Sequence, residues 1–294
     1  TILRRNPYVV LEGALIAARA VQADLVVVGM KRSFAGVVER VRAAIEEIED
    51  AEWNGDVTLS VFEGPDEYLY GEESALLETI DGRFPFPRVV PTFRRGLREA
   101  DDTPMAPALV NNTESLANVP RIVARGPEWF RTVGTKDSPG TMVCTVTGRT
   151  QRHGVGEVLM GTSLRDVIEE IGGGPLPGRE IKAVMSGVAT GIIPGDLLDT
   201  PVTYEDLAAI GSGLGSGAFW DAIEAMGVPR LTPGQAVTAL SEAIVSRCAL
   251  RAWVVVARRV VTSWTDVVRS CCSTVSATTE RSASWSSTSA CRAR

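Results

Sequence analysis

The polar and apolar positions of the N-terminal segment switch between two periods. In "NPYVVLEGALIAARAVQA", Val10, Leu11, Ala14, Leu15 and Ala18 recur at helical spacing. Asn6 and Pro7 supply an N-cap and a proline at the first helical position. "DLVVVGM" is a short unbroken apolar run, as in strands buried on both faces of a parallel sheet. "SFAGVVERVRAAIEEIED" returns to the helical period with Val37, Val41, Ala44, Ile45 and Ile48 on one face, leaving the acids Glu46, Glu47, Glu49 and Asp50 to water. "DVTLSVFEG" alternates and predicts a second strand. The order α-β-α-β predicts an α/β domain with parallel strands.

Next comes "GPDEYLYGEESALLETIDG", which predicts a helix starting near Gly71 with Leu76, Leu77 and Ile80 turned inward. Glu72 and Glu73 then occupy the first turn, where the macrodipole stabilises each by about 0.3–1 kcal/mol. That alone explains them as a surface helix start, and a wall of a ligand site is the competing reading. The proline-rich "RFPFPRVVPTFRRG" and the polar "VNNTESLANVP" follow. A second module begins near Ser138: "GTMVCTVTG" and "VGEVLMG" predict two strands around a turn, and "IKAVMSG" a third. Between them, "SLRDVIEEIGGG" predicts a helix capped by Ser163 with Asp166 at the capping-box position, and stopped by Gly172 to Gly174. Two strands, a helix and a strand in this order predict a compact β-grasp-like domain. "GSGLGSG" (Gly211 to Gly217) lacks the G-x-G-x-x-G spacing of a dinucleotide loop and predicts a turn before a strand.

Composition changes the picture at the C-terminal end. All 28 Gly and all 16 Pro fall before residue 235, and the last sixty residues carry +5 against −11 for the rest. Two readings of this tail stay open: a helical patch over Thr238–Trp253 followed by a disordered basic segment, or an out-of-frame translation. Either way, functional argument stops near Gly217. The net charge of −6 argues against nucleic acid. No apolar run reaches the roughly 18–20 residues of a membrane span; "AWVVVARRVVTSW" is interrupted by Arg258 and Arg259. Five irregularly spaced cysteines make no disulfide framework, so a reducing, cytoplasmic setting is expected. Cys144 alternates within a predicted strand as a core thiol, and the single His153 has no second histidine to make a metal pair.

Chemistry narrows the ligand that Glu72 and Glu73 could meet. Two carboxylates at a helix N-terminus repel phosphate, so they would face hydroxyl and amide N–H groups, with phosphates bound elsewhere. The paired amides Asn111 and Asn112 suit a ligand of mixed donors and acceptors.

The segment "YLYGEESALLETIDGRFPFPR" resembles the NADH-binding flavoprotein subunit of NADH:quinone oxidoreductase (respiratory complex I), a module shared with NAD-dependent hydrogenases and formate dehydrogenases. "VNNTESLANVP", "WFRTVGTKDSPGTMVCTVTG" and "GTSLRDVIEEIGGG" continue the resemblance in order, from about Asn6 to Gly217. It implies a Rossmann-like parallel-sheet FMN/NADH-binding domain at residues 1–137 and an SLBB-type β-grasp domain at 138–217. A divergent, irregular or helical tail at 218–294 stands in place of an iron–sulfur helical domain. It implies FMN contacts for Gly71, Glu72, Glu73, Asn111, Asn112 and Ser115, and NADH contacts for Tyr68, Glu73 and Phe93. Implied cofactors are FMN and NAD(H). Implied partners are a small thioredoxin-like iron–sulfur subunit and a larger redox complex, with the chain cytoplasmic or peripheral to a membrane complex.

Three departures qualify this. The chain begins after the family's glycine-rich phosphate loop, and its opening "TILRRNPYVV", without a methionine, suggests a fragment or a processed chain. Val90 replaces a lysine in the Pro-Arg-x-Lys-Pro stretch. The family's 4Fe–4S motif is not found, since Cys248, Cys271, Cys272 and Cys291 lack its spacing. The expected activity is hydride transfer from NADH to FMN and onward electron transfer. A non-catalytic scaffold or ligand-binding fragment is the alternative.

Overall fold

A computed structural model describes residues 1–97, 107–187, 190–223 and 253–257. Two sheets organise these residues, and each has its own core.

The first sheet is built on β1 (Leu25–Lys31) and β2 (Thr58–Gly64), paired in parallel as the apolar runs require. β3 (Ala108–Asn112) lies on the far side of β9 (Trp253–Ala257), giving the order β2-β1-β9-β3. β9 runs antiparallel to both β1 and β3. The sheet is therefore mixed, correcting the expectation of purely parallel strands. It also corrects the tail: "WVVVA" is a strand, not an irregular or helical segment. Its physical logic is that of β1. Val254 and Val255 point to opposite faces and both are fully buried, so an apolar run without alternation fits a slot covered on both sides. The rest of the predicted patch over Thr238–Trp253, and the four tail cysteines, lie outside the described residues.

Period-two alternation divides β1 between two cores. Val26, Val28 and Met30 face α2 (Pro7–Val21) and α3 (Ala35–Asp50), together with the short α1 (Ile2–Arg5). Val27 faces the other way, toward α4 (Glu73–Ile80) with Leu76 and Leu77. In α3 the buried stripe is Val38, Val41, Ala44, Ile45 and Ile48, with Val37 only partly buried. Asn6 caps α2 as expected, accepting from the Val9 N–H.

α5 (Thr113–Arg125) packs on α2 at Gly13. A Cβ at Gly13 would lie 2.8 Å from the Leu116 carbonyl carbon and nearer still to its oxygen. Only a residue without a side chain lets the two backbones approach this closely. Beyond α6 (Pro127–Arg131) the second sheet has the order β5-β4-β8-β6-β7. Its strands are β4 (Thr141–Gly148), β5 (Gly154–Leu159), β6 (Ile181–Ser186), β7 (Ile192–Pro194) and β8 (Ala218–Ile223). Helix α7 (Leu164–Gly172) buries Leu164, Val167, Ile168 and Ile171 against it, and α8 (Tyr204–Ala209) adds Leu207. Ser163 caps α7 through the Asp166 N–H, and Gly173 ends it in the left-handed conformation, both as the spacing predicts. The glycine-rich 211–217 segment is a turn leading into β8.

The Gly13 contact makes a paired prediction. Gly13→Ala is expected to cost about 1–3 kcal/mol in urea unfolding, because rigid backbone rather than a mobile side chain must give way. Gly36→Ala, in the first turn of α3 with nothing within 4 Å of the added carbon, is expected to be neutral or to stabilise by up to about 1 kcal/mol. Equal losses in both variants would remove the close approach as the cause.

Candidate functional site

β1, β2 and β3 run in the same direction, so Lys31, Gly64 and Asn112 mark one carboxyl edge of the sheet. Open α/β sheets place ligands at this edge. Asn112 and Gly29 both pair with Trp253, from opposite sides. They are thus two strand spacings apart, about 10 Å.

Tyr70 anchors the acidic turn over this edge. It lies in the 3-10 turn Tyr68–Gly71 and is buried. A Cβ at Gly64 would overlap its ring, and one at Gly29 would come 3.2 Å from its hydroxyl. The phenol donates to the Met30 carbonyl at 3.4 Å, and burial holds its pKa well above the ordinary value. Sequence reasoning passed over Tyr70. The available signal was the pair of isolated glycines in β1 and β2, which mark close approach of another group.

The two glutamates have different tasks. α4 starts at Glu73, two residues later than the predicted start at Gly71. Glu72 is its N-cap: Oε2 accepts from the Ala75 N–H at 2.8 Å, the Ser74 N–H at 3.0 Å and the Ser74 hydroxyl at 2.7 Å. Ser74 Oγ in turn accepts from the Arg88 N–H at 2.8 Å. Glu73 is half-buried, and no hydrogen bond or ion pair engages its carboxylate among the described residues. Burial, and then the neighbouring Glu72, raise its pKa above the usual glutamate value.

Of the two amides, Asn112 caps α5, its Oδ1 accepting from the Glu114 N–H at 2.8 Å. Asn111 is half-buried beside it, at the register position of Val254. Ser115 is exposed one residue beyond Glu114, and Tyr68 is 52% exposed on the anchored turn. Gly71 ends that turn, with open space where a Cβ would stand. Phe93 is separated from Asn111 and Asn112. The carbonyl of its neighbour Thr92 accepts from the Ala108 N–H at the amino end of β3, about 13 Å along the strand from Asn112.

Arg83 and Arg88, which belong to the stretch that carries the sequence resemblance, are structural. Both bind Glu78, and Arg83 reaches Asp81 at 2.8 Å. Arg88 also donates to the carbonyls of Arg95 and Gly96. Lys31 is buried, with Nζ donating to the Asp66 carbonyl at 2.8 Å. Lys31 and Arg83 are taken up by these contacts, while the buried Nη2 of Arg88 has no hydrogen-bond partner among the described residues and lies 3.5 Å from Asp81. Two carboxylates at the start of α4 favour hydroxyl and N–H donors there over a phosphate.

Elsewhere, Cys144 is a buried core thiol, as its alternation predicts, and His153 is exposed with its ring on the Gly148 carbonyl. Among the described residues, no group of His, Cys, Asp and Glu could hold a metal, and no helix is long and apolar enough to cross a membrane. A cavity of about 610 Å³ opens between α7 and the ends of β6 and β7; none of the expected site residues lines it.

Residues 1–121 match the family described as the Nuo51 FMN-binding domain. An NADH-quinone oxidoreductase subunit of Rhizobium meliloti is 35% identical over 226 residues, covering 73% of this chain and 52% of the relative. An NADP-reducing hydrogenase subunit of Solidesulfovibrio fructosivorans is 34% identical, covering 74% and 46%. A crystal structure of an NAD+-reducing nickel–iron hydrogenase in the H2-reduced state aligns with a TM-score of 0.65 at 30% identity, over 75% of this chain and 37% of that one. The chain spans about half the length of the curated relatives it matches.

The two glutamates are expected to respond oppositely to substitution. Glu72→Ala removes a charged cap and is expected to cost about 1–2 kcal/mol. The raised pKa of Glu73 means that the folded state holds its proton more tightly than the unfolded chain does. Its contribution is fully present below the ordinary glutamate value of about 4.3 and is lost as pH rises through the folded value. Glu73→Gln is therefore expected to match or raise the melting temperature at pH 7 and to lose that advantage in acid. A thermal melt series across pH reads both outcomes.

Proposed function

We propose, from the membership of residues 1–121 in the Nuo51 FMN-binding family, that the chain is the flavin- and nicotinamide-binding part of an NADH-oxidising flavoprotein subunit. The observation that carries this reading is the pairing state of the carboxyl edge. Glu72 and the side-chain oxygen of Asn112 serve as helix caps, whereas the Glu73 carboxylate and the Asn111 amide stand at the same edge with no side-chain partner among the described residues. A half-buried carboxylate and amides in that state are recognition groups awaiting a ligand.

Glu73 would accept from ribityl or ribose hydroxyls or a carboxamide N–H. Asn111 and the NH2 of Asn112 would bond the flavin side, and Gly71 would let a ring approach the backbone. Tyr68 and Ser115 complete the set as exposed polar groups on the flanking turns. Bound FMN supplies hydride acceptance from NADH and one-electron release, and no acid or base is required of the protein. Phe93, at the other end of β3, stands outside this set.

The second sheet supports the SLBB-type β-grasp reading of residues from 138 onward. A β4–β5 hairpin leads to α7, and the later strand β8 pairs in parallel with β4 at the sheet's centre. Electrons would leave through iron–sulfur centres to a thioredoxin-like partner subunit within a larger complex. The relatives named above are themselves described as subunits.

FMN titration of the purified chain, followed by flavin fluorescence and gel filtration, tests this directly. Retained flavin that bleaches anaerobically on addition of NADH is the expected result. Glu73→Ala is expected to slow bleaching by about tenfold or more, the loss of one charge-assisted hydrogen bond, with little change in melting temperature. A chain that binds neither FMN nor NADH, alone or extended to the length of its relatives, overturns the proposal and leaves the non-catalytic scaffold.

A further inference from the structure

The carboxyl edge of the first sheet is tied to the second sheet through one side chain. Asn112 ends β3 and caps α5 by accepting from the Glu114 N–H. The carboxylate of the same Glu114 reaches across to β4, where Oε1 accepts from the Val143 N–H at 2.6 Å. That donor needs an acceptor for a geometric reason. Thr145, two residues on, directs its N–H to the Gly217 carbonyl at 2.8 Å, and β8 pairs with β4 only from Thr145 to Gly148. Strand periodicity turns Val143 to the same side, before β8 begins. Glu114 thus supplies the next rung of the ladder, from a different sheet's helix. A carboxylate accepting from a half-buried amide is among the stronger hydrogen bonds available.

We propose that Glu114 is a positioning residue: it clamps the second sheet to the amide-bearing end of β3, so that the orientation of one unit sets the placement of Asn111 and Asn112 in the other. Two features make the link stiff. The Leu116 carbonyl rests against Gly13, so α5 cannot slide on α2 to absorb a displacement. On the far side, Cys144 is fully buried beside the clamp, and burial, with the Glu114 charge adding, pushes its thiol up to about 12. The carboxylate, bonded to the Val143 N–H, stands next to the second core at Cys144. The effect on ligand binding rests on the function proposed above; the clamp itself does not.

Glu114→Ala removes the acceptor, and Glu114→Gln keeps an oxygen in its place. Amide hydrogen exchange in the ligand-free chain is expected to accelerate about tenfold or more at Val143 and at position 114 in the alanine variant. Val27 and Val28 of β1 should be unchanged, and the glutamine variant should stay within about twofold of wild type throughout. FMN affinity should fall about fivefold in the alanine variant and recover in the glutamine variant. Unchanged exchange at Val143 in the alanine variant overturns the clamp. Faster exchange with unaltered FMN affinity overturns its influence on the site. Wild-type chain that takes up no FMN defeats the proposed function instead, and the exchange data then decide the clamp alone.

Discussion

The contact between Gly13 and the Leu116 carbonyl fixes much of what lies around it. Two helices that meet backbone to backbone have no side chains between them to yield, so α5 takes its position from α2. α2 is in turn held on β1 through Val10, Leu11, Ala14 and Ala18. Because Asn112 is both the last residue of β3 and the cap of α5, the carboxyl edge inherits that rigidity. Close approach recurs where the Tyr70 ring replaces the side chains that Gly64 and Gly29 lack. The two sides of the edge are thus each held by glycine-enabled contacts.

Within this frame, the polar residues divide into those that complete the fold and those left over. Glu72 is an unusual cap, since shorter side chains fill that role more readily. Its longer chain turns back on Ser74 and Ala75, and Ser74 passes the arrangement on to the proline-rich loop through the Arg88 N–H. Arg83 and Arg88 hold that loop on Glu78 and Asp81. The net effect is that Glu73 is presented at the start of α4 without a partner among the described residues.

β9 shows how a sheet's composition follows from shape. The slot between β1 and β3 is covered on both faces, by α2 on one side and by Leu76, Leu77 and Tyr70 on the other. An apolar strand fits it in either direction, because the ladder's donors and acceptors can be met by antiparallel as well as parallel neighbours. The antiparallel entry of Trp253–Ala257 is what turns an otherwise parallel set into a mixed sheet.

The sequence alone determined the local elements. Helical periods located α2, α3 and α7, apolar runs located β1 and β2, and Ser163 and Gly173 bounded a helix by chemistry confined to a few neighbouring residues. It also carried the resemblance to flavoprotein subunits, because several motifs recur in order from the Gly-Glu-Glu turn to the Asn-Asn pair, and residues 1–121 match the Nuo51 FMN-binding domain. The structure showed which glutamate caps and which stays free: Glu72 reaches the N–H groups of Ser74 and Ala75 within its own turn, a local choice that helical periodicity does not make. Tertiary structure alone placed Phe93 at the opposite end of β3 from the amides and revealed Tyr70 and Glu114 as anchors. It also turned a tail segment into a central strand. Apart from the cap, these are properties of contacts between residues far apart in the chain, and periodicity, which compares each residue only with its neighbours, carries no record of them.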